Sequence, residues 1–149
     1  MKKTALIFLI FLVAFLSACS STDSQTYNNN FSLWQSKAIA HYRFNLKIAC
    51  TCAWSALMPL TVEVQKGEVV SISASNGADV SPYLDSFSQY DTVQRLFDRV
   101  YISISREESR LKVKYDRVYG FPAAIEVDPN SPIQDVASGY YVTNFEVLP

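Results

Sequence analysis

A strict two-residue alternation between Tyr42 and Cys50 restricts the fold of this chain more than any other feature. Tyr42, Phe44, Leu46, Ile48 and Cys50 interleave with Arg43, Asn45, Lys47 and Ala49. Successive side chains of a strand point to opposite sides, so this pattern describes one buried face and one wet face. A parallel strand covered on both sides would read as a continuous apolar run, and an antiparallel sheet is therefore expected. The rhythm returns in Leu60, Val62 and Val64, then after Lys66-Gly67 in Val70, Ile72 and Ala74, which predicts a hairpin. Lys-Gly is a weaker turn signal than Asn-Gly and leaves the turn type open. Three further strands are expected: Leu111, Val113 and Tyr115; Phe121, Ala123, Ile125 and Val127; and a last one from Tyr140 to Leu148. Pro122 has no N–H for a ladder, so its strand should start at an edge or before the ladder begins.

Two helices complete the pattern. Ser32 can cap a short one in which Trp34, Ala38 and His41 or Tyr42 recur at helical spacing. Asp91, with Gln94 three residues on, reads as the capping box of a stronger one, where Val93, Leu96, Phe97, Val100, Tyr101 and Ile104 form one apolar face. That face is expected to pack on the sheet face carrying Phe44, Leu46, Val62 and Val64. Ser75 to Tyr90 reads as a long surface connection, and Asp128-Pro129-Asn130-Ser131-Pro132 as a loop. The fold class is α+β: a single domain over residues 31–149, an antiparallel sheet of about six strands with two helices, in the order α-β-β-β-α-β-β-β. That order also suggests two diverged halves, each a helix on a three-stranded unit.

The chain starts differently. Met1-Lys2-Lys3 is followed by an apolar run from Ala5 to Leu16 and then by Leu16-Ser17-Ala18-Cys19. A basic start, a dozen apolar residues and a small-residue cleavage site mark a secretory signal, too short to span a bilayer. The alternative, an uncleaved anchor, would need about 20 apolar residues. Leu-Ser-Ala-Cys resembles the lipobox of bacterial lipoproteins. The resemblance implies a signal peptide over 1–18, an acylated Cys19 as the lipid attachment site, and a membrane-anchored envelope lipoprotein. With Ser20 rather than Asp after the cysteine, it further implies sorting to the outer membrane, facing the periplasm. Ser20 to Asn30 is polar with a single aromatic, and residues 19–30 are expected to be the acylated cysteine and a flexible tether. The formal charge of −1 falls to −3 when Lys2 and Lys3 leave with the signal, so there is no basic field and no nucleic-acid partner is expected.

A second resemblance covers most of residues 31–128. Trp34, Cys50-Thr51-Cys52, the turn at Gly67, Leu96-Phe97, Tyr115-Asp116, Tyr119-Gly120-Phe121-Pro122, Ile125 and Asp128 resemble a family of small bacterial lipoproteins of unknown function. Arg117 stands where a proline often follows the Tyr-Asp of that family. The resemblance implies a fold and an address and transfers no activity.

Candidate sites are few. Tyr115, Asp116, Tyr119, Gly120, Phe121 and Pro122 combine turn chemistry with aromatics: either a rigid hairpin end, or a recognition surface for an envelope protein, peptide or glycan. His41 is the single histidine and has no nucleophile turn beside it, and Glu107-Glu108 sits between Arg106 and Arg110 as a solvated face. His41, Cys50 and Cys52 make at most three metal ligands without Cys-x-x-Cys spacing, so no metal or cofactor is expected and the chain reads as non-enzymatic.

Cys50 and Cys52 are the thiols left once Cys19 is acylated, in an oxidising compartment. Residues i and i+2 of a strand lie about 6.6 Å apart, at the far end of the Cα range of about 4.4–6.8 Å that a disulfide accepts. A bridge therefore requires the strand to bend. Two functions follow: an anchored binding or scaffolding protein, or a thiol-disulfide protein acting through Cys50 and Cys52.

Overall fold

The alternation starting at Tyr42 becomes strand β1, His41–Ala49, in which Tyr42, Phe44, Leu46 and Ile48 are buried, in a computed structural model that describes residues 21–106, 108, 110–127 and 139–149. β2 (Leu60–Gln65), β3 (Glu68–Ala74), β4 (Lys112–Tyr115), β5 (Pro122–Glu126) and β6 (Gly139–Val147) join it in one antiparallel sheet of order β3-β2-β1-β6-β5-β4. The expected loop from Asp128 to Pro132 lies outside the described residues. The β2–β3 turn has positive φ at both Lys66 (52°) and Gly67 (84°), the mirror-image turn that matches strand twist. Pro122 opens β5, one strand in from the β4 edge, and pairs with Tyr115 where the β4–β5 register shifts; the first residue of a strand and a bulge are places where a sheet tolerates a missing N–H. β1 is central while β4 is an edge, so the first strands of the two halves do not occupy equivalent places and the duplication is not supported.

Two bulges redirect the alternation. Val62 faces Ile72 but Val64 faces Val69, so Val70 is the extra residue. It is 53% exposed, whereas alternation alone turns it inward. In β6, Arg43 faces Glu146 and Asn45 faces Thr143, which leaves Asn144 as the extra residue at φ 51°, a backbone conformation asparagine tolerates. The effect is to turn Phe145 onto Trp34, Tyr42 and Phe121, where unbroken alternation would point Asn144.

Among the described residues, three α-helices pack against the sheet around one core. α1 spans Ser21–Ser36, α2 is a single turn at Leu84–Phe87, and α3 spans Val93–Ser105. α1 corrects two expectations. Residues 21–30, read as a flexible tether, are helical, and the first helix neither starts at Ser32 nor reaches His41; the chain leaves the helix through Ala38 at φ 48°. Serine, threonine and asparagine are weak helix formers, so packing must hold α1. Tyr27, Phe31 and Trp34 fall at i, i+4 and i+7, and the first two rings meet Phe97 at 5.8 and 5.0 Å while Trp34 meets Tyr42 at 5.5 Å. The Ser75–Tyr90 connection likewise holds more than surface: a 3-10 turn at Ser81–Tyr83, then α2, with Phe87 fully buried against Trp54.

α3 buries Val93, Leu96, Phe97 and Val100 in one core with Phe44, Leu46, Val62 and Val64. Its cap is Thr92, not Asp91: Thr92 Oγ1 accepts the Arg95 N–H at 3.1 Å, and buried Asp91 pairs with the Arg95 guanidinium instead. The Val93 N–H, one of the orphan donors of a helix start, donates to the Tyr42 hydroxyl at 3.1 Å. Burial pushes that phenol up to about 12. Among the described residues no helix is long and apolar enough to cross a membrane.

Candidate functional site

β1 ends at Ala49, and the chain bends through Cys50-Thr51-Cys52 into a 3-10 turn at Ser55–Leu57. The bend brings the Cα atoms of Cys50 and Cys52 to 5.3 Å and their sulfurs within bonding distance. Both cysteines are half-buried and Thr51 between them is exposed. His41 opens the same strand, roughly 30 Å away at 3.3 Å per residue, so the three possible metal ligands are not brought together. His41 is engaged elsewhere: its Nδ1 lies 2.9 Å from the Pro149 carbonyl oxygen and its Nε2 2.9 Å from Glu63 Oε1. Both partners are acceptors, so both ring nitrogens are best used as donors, and these two bonds raise the imidazole above its ordinary value.

The segment from Tyr115 to Pro122 is a hairpin end folded inward. Asp116 Oδ1 accepts the N–H groups of Val118 and Tyr119 at 2.8 and 2.7 Å, and Gly120 N–H donates to the Asp116 carbonyl. Gly120 sits at φ 82°, buried beneath α1, where an added Cβ would stand 2.5 Å from the Asn30 carbonyl oxygen. Phe121 and Pro122 are buried, Tyr119 packs on Phe121 and Phe145, and Tyr115 stacks on Phe97 at 6.3 Å with its phenol raised by burial. Of the residues expected to form either a rigid hairpin end or a recognition surface, Gly120, Phe121 and Pro122 are buried and Tyr115, Asp116 and Tyr119 half-buried, while Arg117 and Val118 of the turn are exposed.

The site that sequence reasoning missed lies along α3. A cleft of about 520 Å³ opens between α3, residues 88–90 and the start of β6, lined by Ser88, Gln89, Tyr90, Arg95, Asp98, Arg99, Ile102, Arg106 and Tyr140. Tyr90 and Tyr140 pack with ring centroids 4.4 Å apart, and burial raises the Tyr140 phenol, which also bonds Tyr90 and Arg99. Arg99 is held by Glu108 at 3.3 Å and Arg95 by Asp91. A guanidinium has five N–H donors, so each of these arginines keeps donors for a second acceptor. Arg106 is exposed at the cap of the helix. The signal was present as Arg95, Arg99, Ile102 and Arg106 at i, i+4, i+7 and i+11, the polar stripe beside the apolar face. Fixed guanidinium groups next to an aromatic pair can hold a carboxylate or phosphate oxygen while a ring or apolar group rests on the tyrosines.

Among the described residues no three His, Cys, Asp or Glu side chains cluster as metal ligands. A family model, the family of unknown function DUF6174, matches residues 26–147. No curated protein and no solved structure matches the chain. The family match starts within α1, as it should if that helix is part of the domain.

Proposed function

The chain belongs to the DUF6174 family of unknown function, and from that premise we propose that it is a bacterial envelope lipoprotein, anchored through an acylated Cys19 and most at home on the periplasmic side of the outer membrane. Its domain is a non-enzymatic binding or scaffolding module. The observation that carries the binding half is the α3 cleft, where Tyr90, Tyr140 and three arginines line one concave surface. Its occupant is an envelope protein, peptide or glycan presenting an acidic group. The anchor rests on Leu16-Ser17-Ala18-Cys19 behind its basic and apolar flanks. Labelling cells with a radioactive fatty acid tests it: label should sit on Cys19 and vanish in Cys19→Ala, and an unlabelled mature chain refutes it. A photoreactive residue at Gln89, on the cleft rim, tests the binding half. Crosslinked envelope adducts should form in the wild type and be lost in Arg106→Glu; adducts that persist unchanged refute the cleft.

A second reading, a thiol-disulfide protein acting through Cys50 and Cys52, draws on the approach of the two sulfurs. Alkylation under non-reducing conditions followed by mass spectrometry decides whether the bond exists, since two alkylated cysteines exclude it. If it exists, a reduction potential well below about −300 mV marks a structural bond and a more oxidising one supports redox work.

A further inference from the structure

β3 ends the sheet, and among the described residues no strand pairs its outer side. The Lys66 N–H donates to the Ala40 carbonyl on the β1 side of β2, and the Ser75 N–H donates to the Pro59 carbonyl on the β3 side. Hydrogen-bonding positions alternate along an antiparallel ladder, so Ser71 and Ser73 bond β2 while Ile72 and Ala74 turn their N–H and C=O groups outward. Such an edge is a template for another strand.

The two edges of the sheet are guarded differently. β4 is four residues long with Lys112 and Lys114 exposed, so a second β4 laid against it would set lysine against lysine. β3 is seven residues long, and from Val69 to Ala78 the sequence holds neither a charge nor a proline. Its bulge lies at Val70, beside the turn, and the register from Ser71 to Ala74 is unbroken.

We infer that the outer edge of β3 is an interface for a second copy of this chain, paired antiparallel, β3 to β3, about a twofold axis at Ile72. The strand is self-complementary in that register. Ile72 meets Ile72 of the second copy and the two exchange both backbone hydrogen bonds; Val70, 53% exposed in the single chain, lies opposite Ala74; and Ser71 lies opposite Ser73, hydroxyl against hydroxyl. The charges at the strand ends agree with it. Glu68 lies opposite Asn76, and the Lys66 turn of one copy comes beside the segment that carries Asp79 of the other, so like charges do not meet. Glu63, on β2 beside Ser71, is already paired with His41 and Arg43. None of the residues lining the α3 cleft belongs to β3, so this pairing is a property separate from binding in the cleft.

The test uses full-length chains carrying two different C-terminal tags, expressed together, extracted in mild detergent and isolated through one tag. Wild-type copies should co-isolate. Ser71 and Ser73 are exposed, and the double variant Ser71→Lys, Ser73→Lys sets lysine opposite lysine twice, which should cut co-isolation about tenfold. Ser71→Glu, Ser73→Glu should do the same, and the lysine form should recover the glutamate form, a result that no folding defect produces. If a double variant melts early, Ser71→Lys against Ser73→Glu supplies the attractive pair and Ser71→Lys against Ser73→Lys the repulsive one. Wild-type copies that stay apart, lysine forms that co-isolate as well as wild type, or lysine and glutamate forms that do not find each other overturn the inference. Capture of a different protein in place of the second tagged copy overturns it as well.

Discussion

The docking of α1 on α3 is the contact most open to measurement, and a double-mutant cycle between Phe31 and Phe97 isolates it. Phe97 has no exposed surface; its ring meets Phe31 edge-on at 5.0 Å and Tyr27 at 5.8 Å and stacks on Tyr115 at 6.3 Å. Phe97→Ala removes a buried ring and leaves a cavity, at a cost of about 3–5 kcal/mol. That is a large share of the roughly 5–15 kcal/mol that holds a domain of this kind together. The edge-on contact with Phe31 should contribute about 0.5–1.5 kcal/mol beyond area burial, so Phe31→Ala and Phe97→Ala should couple by at least about 0.5 kcal/mol. Urea unfolding followed by helical circular dichroism and by Trp34 and Trp54 fluorescence gives the four free energies. If Phe97→Ala leaves too little folded protein to measure, Phe97→Leu supplies the same corner of the cycle at lower cost. A loss below about 1 kcal/mol for Phe97→Ala would place the ring at the surface. Additivity within about 0.3 kcal/mol would mean that α1 is not seated on α3.

Three further outcomes are expected. Gly120→Ala should lower stability by more than Gly77→Ala in thermal melts: both have φ near +80°, which costs an L-residue about 1–2 kcal/mol, but only at Gly120 does the new Cβ meet backbone, the Asn30 carbonyl. Tyr42→Phe should cost about 1–3 kcal/mol by leaving the buried Val93 N–H without its acceptor; equal urea midpoints for the two proteins would exclude that role. His41 has a raised folded-state value, so its contribution is fully present below its ordinary 6.5 and is lost as pH rises through the raised value. The difference in melting temperature between wild type and His41→Ala should therefore shrink as pH climbs from about 5.5 to 8.5, and a difference that grows would reverse the assignment.

Local periodicity belongs to the chain itself, and it determined what depends on a strand or helix and its two faces. The alternation at Tyr42–Ile48, the Leu60–Ala74 hairpin and the apolar stripe of α3 all appear where their residues put them. Antiparallel pairing followed from the same signal, because a strand wet on one side cannot be covered twice. The tertiary structure decided what depends on a partner distant in sequence. Tyr27 in a run of asparagine and serine has no reason to be helical until Phe97 and Tyr101 offer it a surface more than sixty residues away. Val70 and Phe145 take their sides of the sheet from bulges that two strands make together, which neither strand encodes alone. Phe121 and Tyr119 carry the same residue types whether they face water or a core, and only the fold brings Trp34 of α1 onto Phe121 and Phe145 onto Tyr119. The α3 cleft was half legible: the arginines keep helical spacing, but Tyr90 and Tyr140 stand fifty residues apart and become one wall only when β6 is laid into the centre of the sheet.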